Sequence, residues 1–392
     1  MKIFHISDLH IGKQLNYYNL KENQAAVLKE IVRKMEEYHP DVLLIAGDIF
    51  DKSVPSGEAY TLFDDFLNQA AKIRPAIPIC IIAGNHDSPE RLNYASSFME
   101  KHRIYISASP PQKPEEFLKK LVLEDGYGPV NFYFLPFTKP GYVRRIFPEQ
   151  DISDYEKAVR ALLEREAIDW NQRNVLISHQ FYQGQGWETQ TCESEQVVLS
   201  VGGLDRIDIS AIRKFDYAAL GHLHGLQKAG ANGWYSGSPL CYSFDEEKQK
   251  KGCTVVTLKG YETDCRQVPV VPMRPMRTLT AAFDQLMEEG KKSPCQDYVF
   301  LTLTDDKPVY MPVDQLREYY PNLLGLTSQW LQNGGLEGLT GEQQEKRELL
   351  KRGGEKEIFS AFLTSVCQSG ATEEDQALFD QILAQVGREA EQ

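Results

Sequence analysis

The sequence predicts an α/β protein: two packed, mixed β-sheets flanked by helices, then a small α+β module and C-terminal helices. Three observations predict it. Five short apolar runs rich in β-branched residues recur along the chain before residue 225. Amphipathic helical patterns separate most of them, as in α/β folds. Each run stops at a cluster of polar residues of the kinds that bind metal.

The first run, Lys2–Ile6, leads into Ser7-Asp8-Leu9-His10. Val27, Leu28, Ile31, Met35 and Tyr38 then recur at helical spacing with charges on the other face. Val42–Ala46 leads into Gly47-Asp48-Ile49-Phe50-Asp51, and Leu62, Phe63, Phe66, Leu67 and Ala70 mark a second helix. Ile77–Ala83 leads into Gly84-Asn85-His86-Asp87. A third helix is expected over Tyr155–Trp170. Val175–Ile177 then precedes Ser178-His179, and Tyr217–Leu220 precedes Gly221-His222-Leu223-His224. Such runs read as buried strands. In open α/β sheets the site lies outside the carboxyl ends of the strands, so the five clusters can converge. From about residue 195 the pattern changes. Val197–Val201, Thr254–Leu258 and Arg266–Val271 read as strands, with turns at Asn232-Gly233 and Lys259-Gly260. They predict a second, partly antiparallel sheet packed on the first.

The Pro-rich stretch Val268–Pro275 predicts a boundary, making 1–271 one domain. Within 272–331, Leu279–Gly290 and Val313–Tyr320 read as helices, and Tyr298–Leu303 and Leu323–Thr327 as strands, a small α+β module. Residues 332–354 read as a polar, glycine-containing linker. In 355–392, Ile358, Phe359, Phe362, Leu363 and Val366 form one amphipathic stripe. Leu378, Phe379, Ile382, Leu383 and Val386 form another. Each stripe could pack on its own domain or on a partner.

The chain has 392 residues, 42% hydrophobic and 25% charged, which excludes global disorder and a fibrous fold. Its apolar runs are far short of the ~20 residues that span a bilayer. The opening MKIFHISDLH runs from a strand pattern into polar residues, unlike a signal peptide, so a cytoplasmic protein is expected. Seven scattered cysteines without a Cys-x-x-Cys pair suit a reducing compartment and no zinc ribbon. The net charge of −13 argues, taken alone, against a basic nucleic-acid coat. That charge is uneven: residues 272–392 balance at −8 and residues 1–271 at −5.

The clusters supply Asp8, His10, Asp48, Asn85, His179, His222 and His224 as metal-ligand candidates, with His86 beside them. Imidazole, carboxylate and amide without thiolate suit manganese, iron or zinc. Asp48, at a central strand end, could bridge two ions, and two ions ~3.5–4 Å apart can drive phosphoryl transfer. A lone His-x-His or a lone Gly-Asp after a strand has an ordinary structural explanation. Gly-Asn-His-Asp after an apolar strand has less of one, because polar residues there serve no packing role. Five clusters in one order outweigh the structural reading. His5, within the first strand, reads as a core histidine, and His39 and His102 as surface residues.

The order Asp-x-His, Gly-Asp-x-x-Asp, Gly-Asn-His-Asp, His, Gly-His-x-His resembles the calcineurin-like metallophosphoesterases. Gly84–Leu92, Phe215–Gly225 and Tyr235–Phe244 narrow the likeness to the bacterial nuclease subunits that act with an ABC-type ATPase. The resemblance is specific over 1–271 and weaker beyond. It implies one ion held by Asp8, His10, Asp48 and His224, and another by Asp48, Asn85, His179 and His222. Manganese is the metal it implies. His86 would be a non-ligand histidine, oriented by Asp87 or a nearby group, that contacts the scissile phosphate and protonates the leaving oxygen; histidine suits that task near neutral pH. Asp51 stands where archaeal and eukaryotic relatives carry histidine.

The family further implies a double-strand DNA exonuclease and a single-strand or hairpin endonuclease serving DNA repair, recombination and replication. The 272–331 module would cap the DNA, and 355–392 would dock on the ATPase. A homodimer within a heterotetramer is implied as well. No Gly-x-x-x-x-Gly-Lys-Ser/Thr occurs, so ATP use belongs to the partner. Two divalent ions bring about +4 and Asp8 and Asp48 return about −2, so the site is locally positive. Lys13, Arg91, Lys248, Lys250 and Lys251, near the motifs, are candidates for phosphate contacts. Tyr17, Tyr18 and Tyr182 could stack on a base or pack in the core or rim. Two other readings stay open: a stand-alone phosphodiesterase for small nucleotides or phosphoproteins, and a non-catalytic DNA-end-binding scaffold.

Overall fold

The computed structural model describes residues 1–332 except 74, 185–188 and 196–205, and beyond them Phe359, Thr372, Gln376, Leu378 and Phe379. It divides into two compact units. The first is Met1–Leu279 with Ser293–Phe300 and Arg317–Gly325. The second is Thr280–Lys292, Leu301–Leu316 and the chain from Leu326 on.

Two six-stranded sheets dominate the first unit. One runs in the order Glu262–Pro269, Gly252–Lys259, Lys2–Ile6, Val42–Ala46, Ile79–Ile82, Ile104–Ser107. Its last four strands are parallel, and the Gly252–Lys259 strand pairs antiparallel to Lys2–Ile6. The other runs Gln227–Ala229, Gly233–Tyr235, Tyr217–Gly221, Arg173–His179, Gly128–Leu135, Lys119–Asp125. The fourth and fifth motif strands pair in parallel within it, Gly221 opposite His179. Strand alternation explains the layering. Val42, Leu44 and Ala46 meet Phe132, Phe134, Val175 and Ile177 between the sheets. Leu43 and Ile45 face the helices Lys21–Tyr38 and Gly57–Ala71. On the far side, Leu176, Ala218 and Leu220 receive Ala158, Val159 and Leu162 of the helix Tyr155–Arg165. Each fully buried Val, Leu, Ile or Phe among them contributes about 1.5–3 kcal/mol.

The helices start at the expected chemistry. Ser56 accepts from the Ala59 N–H at 3.2 Å, and Asp154 from the Lys157 N–H at 2.8 Å. The third helix stops at Arg165, short of Trp170, because Glu166 turns to extended backbone.

Two expectations need correction. The 252–269 hairpin does not form a second sheet; it extends the first sheet beside Lys2–Ile6, and the second is built on the His179 and His222 strands. Leu279 does not open a helix. It lies in the strand Met276–Ala281, and the helix is Phe283–Lys292, whose Phe283 N–H is capped by Asp305 at 2.8 Å. Tyr298–Leu303 and Leu323–Ser328 complete a three-stranded sheet with Met276–Ala281, and the predicted Val313–Tyr320 helix covers Pro312–Leu316.

Val197–Val201, the linker beyond 332 and most of the two C-terminal stripes lie outside the described residues. Phe359 and Phe379, one from each stripe, stack with ring centroids 4.1 Å apart. No helix among the described residues is long and apolar enough to cross a membrane.

Candidate metal centre

Five loops leave the carboxyl ends of Lys2–Ile6, Val42–Ala46, Ile79–Ile82, Arg173–His179 and Tyr217–Gly221. The first two are zipped together by backbone. Asp8 N–H donates to the Gly47 carbonyl at 3.1 Å, His10 to Asp48 at 3.0 Å and Ile11 to Ile49 at 2.9 Å. Asp8, His10, Asp48 and His222 all adopt positive φ, of 53, 41, 49 and 109°. Such strain costs of order 1–3 kcal/mol per non-glycine residue and persists where the surroundings impose it. Glycine makes room for the ligands: a Cβ at Gly47 would lie 2.4 Å from His179 Nδ1, and one at Gly84 2.1 Å from Asp48 Oδ1.

Asp48 is the hub. Its Oδ2 lies 3.7 Å from His10 Nε2 and 3.4 Å from His179 Nε2. On one flank His10 Nε2 faces His224 Nε2 at 3.1 Å, and donor atoms of Asp8, His10 and His224 lie within 4.8 Å of one another. On the other flank Asn85 Oδ1 lies 3.1 Å from His179 Nε2 and 3.0 Å from His222 Nδ1. All seven residues singled out from sequence meet here.

The electrostatics suit a cation. Burial pushes Asp8 up to about 8, opposed by His179 and reinforced by the charge of Asp48. Asp48 is buried too, yet His179 and His10 beside it hold it well below the usual carboxylate range. His179 is in turn lifted to about 9 by Asp48, against its own burial. Burial pushes His10 and His224 down, and His222 to about 3. His10 Nδ1 is buried without a hydrogen-bond partner. Neutral imidazoles at His10, His222 and His224, a fourth imidazole drawn up by the carboxylate it shares, an amide oxygen and two crowded carboxylates are a donor set that divalent ions satisfy. The residues present therefore fit two divalent metals.

His86 stands beside this cluster, its ring edge-on to His10 with centroids 4.8 Å apart. Its N–H donates to Asp48 Oδ1 at 2.9 Å. Its Nδ1 donates to the Asp51 carbonyl at 2.8 Å, so Nε2 is the unprotonated nitrogen of the neutral ring. The orienting group is thus the Asp51 backbone and not Asp87. The Asp87 carboxylate instead accepts from the backbone N–H groups of Ile49, Phe50 and Gly84 at 3.1, 3.0 and 2.9 Å. It braces two ligand loops from within.

The nucleic-acid candidates divide. Lys13 Nζ pairs with Asp51 Oδ1 at 2.9 Å, and that oxygen lies 3.7 Å from His10 Nδ1, at the edge of the centre. Arg91, Lys248 and Lys250 are exposed. Tyr17 is fully exposed at the tip of the Gln14–Leu15/Tyr18–Asn19 hairpin. Lys251 is a correction: it is buried and paired with Glu246, so it cannot reach a phosphate. Of the two readings of Tyr182, core packing holds: it is fully buried with its hydroxyl 2.9 Å from Ser178 Oγ. His5 is buried with Nδ1 2.8 Å from the Tyr217 hydroxyl, as a core histidine should be.

Sequence reasoning missed several supporting residues. Gln24 Nε2 donates to the His10 carbonyl at 2.7 Å and Tyr242 donates to the Leu9 carbonyl, fixing the first loop. Ser194, Glu195 and Glu246 surround His224. Glu246 sits in the charged run Asp245–Lys251, where only the lysines were singled out. Tyr242 lay inside a segment that carried the family likeness, which was the available signal.

Comparison with known proteins adds to this geometry. Residues 1–226 match the calcineurin-like phosphoesterase family, and residues 272–366 match a family described as the type 5 capsule protein repressor C-terminal domain. The SbcD component of the SbcCD nuclease of Staphylococcus epidermidis is 34% identical over 335 residues, covering 84% of this chain and 85% of its own. That of Staphylococcus saprophyticus is 34% identical over 338 residues with the same coverage, 84% and 85%. Among solved structures, a dimetal phosphatase from Danio rerio aligns over 69% of this chain and 97% of its own, with a TM-score of 0.38 and 11% identity.

Proposed function

Because this chain belongs to the calcineurin-like phosphoesterases and, within them, to the SbcD family, we propose that it is the metal-dependent nuclease subunit of an SbcC–SbcD complex that processes DNA ends. One observation carries the reading: six nitrogen and oxygen donors from four other strand ends gather around the carboxylate of Asp48. In this reading Asp8, His10, Asp48 and His224 hold one ion, and Asp48, Asn85, His179 and His222 the other. Mn²⁺ is the metal we assign. Two bound ions supply an activated water and stabilise the charge that develops on the phosphate.

The chain's own residues supply orientation and a proton. His86, anchored through Nδ1 on the Asp51 carbonyl, offers Nε2 to the scissile phosphate and, in its protonated form, gives the Nε2 proton to the leaving 3′-oxygen. Lys13, Arg91, Lys248 and Lys250 contact phosphates, and the exposed ring of Tyr17 stacks on a base. Residues 1–271 form the nuclease domain, 272–331 cap the DNA, 332–354 link, and 355–392 dock on the SbcC ATPase. Tyr94 and Phe98, 80% and 63% exposed, support a homodimer through that face, inside a cytoplasmic heterotetramer.

The test is one assay. The pure chain is incubated with Mn²⁺ and end-labelled duplex or hairpin DNA, with and without SbcC and ATP. Duplex shortening and hairpin opening are expected, enhanced by SbcC and ATP. Hydrolysis of nitrophenyl phosphodiesters with no DNA cleaved under any condition would place the chain among stand-alone phosphodiesterases instead.

A further inference from the structure

We propose that Glu246, held by Lys251 and acting through Ser194, is a positioning group that fixes the tautomer of His224 and so prepares it as a metal ligand. The inference rests on the two-ion reading above and assigns a role to residues outside the ligand set.

Glu246 is fully buried. A buried carboxylate is tolerated only with charge and hydrogen bonds around it. Lys251, also buried, forms an ion pair with Oε2. Its ammonium is also 2.8 Å from the His224 carbonyl oxygen and 2.9 Å from Ser238 Oγ. The other oxygen, Oε1, accepts from the Ser194 hydroxyl, from Ser243 Oγ at 2.8 Å and from the Tyr242 N–H at 3.2 Å.

Proton counting then decides the imidazole. Ser194 has one hydroxyl proton, and Glu246 takes it. The Ser194 oxygen, 2.7 Å from His224 Nδ1, can therefore only accept there. His224 Nδ1 must carry the ring proton, and Nε2 is left with its lone pair. Nε2 is the atom that faces His10 Nε2 at 3.1 Å in the centre. The backbone of the ligand is gripped as well, since Glu195 accepts the His224 N–H at 2.6 Å. At His179 the same task falls to the Ala46 carbonyl, 2.8 Å from Nδ1, which no substitution removes. At His224 it falls to side chains, so it can be taken away.

Partners of this kind, when lost, weaken metal affinity about 10–100-fold. The experiment titrates Mn²⁺ into wild type, Ser194→Ala, Ser194→Thr and the double variant Glu246→Gln/Lys251→Met, following bound ions by electron paramagnetic resonance alongside thermal melting. The double variant removes both buried charges together, so neither is stranded. Ser194→Ala and the double variant should weaken one of the two ions about 10–100-fold and leave the other unchanged. Ser194→Thr, which keeps the hydroxyl, should restore wild-type binding. Two ions bound as tightly as in wild type, or both weakened alike, would overturn the proposal. Loss of folding in both Ser194→Ala and the double variant would overturn it in favour of a purely structural cluster. A wild-type chain that binds no Mn²⁺ would instead sink the two-ion reading itself.

Discussion

At His86 and Asp87, two adjacent residues of one motif face opposite duties. His86 touches the hub carboxylate only through its N–H, and its ring is anchored on the Asp51 carbonyl at 2.8 Å. A ring nitrogen of His86 lies within 4.8 Å of donor atoms of His10 and Asp48, a flank that Asp8 and His224 also line. Asp87 points inward and gathers three backbone N–H groups. In the proposed reading, replacing His86 removes a proton donor and leaves the ligand shell intact. We expect His86→Ala to retain both ions in metal analysis and to melt like wild type while turnover falls about 10²–10⁴-fold, the usual scale of general acid catalysis. A variant that lost its ions would make His86 a ligand and remove its catalytic assignment. Asp87 shows what a motif can hide. Its residue type and position read as catalytic company for histidine, and its carboxylate, gathering three N–H donors, braces the loop that carries that histidine.

At the element scale, the edge hairpin Lys119–Asp125/Gly128–Leu135 is tied to the central strand Arg173–His179 by one charged clasp. Arg173, buried, donates to Asp125 at 3.1 and 2.6 Å and to the Gly128 carbonyl at 2.6 Å. The Arg173 hydrogen bonds, with those from the Met1 ammonium and the Tyr127 N–H, hold the Asp125 carboxyl below its ordinary range, despite the opposing effect of burial. A carboxyl depressed in the folded state stabilises the protein above its unfolded pKa of about 4, and that contribution disappears as pH falls through the folded value. Asp125→Asn should therefore cost about 1–2 kcal/mol at pH 7, the carboxylate being only part-buried, seen in denaturant melts, and the gap to wild type should close on acidification below pH ~4. A gap independent of pH would show that shape and not charge makes the clasp. This clasp was invisible in sequence, as was the destination of the 252–269 hairpin. Val42–Ala46 was legible to the residue, because a fully buried parallel strand writes itself as a continuous apolar run, and Lys2–Ile6 was legible from its apolar Ile3, Phe4 and Ile6. The hairpin was legible as two strands, but alternation says nothing about which edge a strand will join. The seven donors were legible because each follows its strand directly. Ser194, Glu195 and Glu246 were not, since they come from loops that no periodicity marks and act only through a ligand.

For the whole molecule, the −13 net charge first argued against nucleic acid. Its distribution weakens that objection, since 272–392 carry −8 of it and the residues around the metal centre lie in the part that balances at −5. The structure also reduces the basic groups available for DNA. Lys251 is buried on Glu246, which leaves Lys13, paired with Asp51 at the edge of the centre, and the exposed Arg91, Lys248 and Lys250 near the motifs. Each phosphate neutralised contributes a slope of about −0.9 to log affinity against log salt. Three or four such contacts predict a shallow slope of about −3 for the isolated chain, and weak binding in the range of non-specific contacts. A partner that adds its own cations must steepen that slope. Fluorescence anisotropy of labelled duplex across a salt series, with catalysis suppressed by His86→Ala, reads both values directly. A slope near −8 for the chain alone would mean that a basic surface beyond these residues grips the DNA. A slope unchanged by SbcC would mean that the ATPase adds no grip. The expected outcome divides the labour by charge: an acidic subunit that cuts where two cations sit, and a partner that holds.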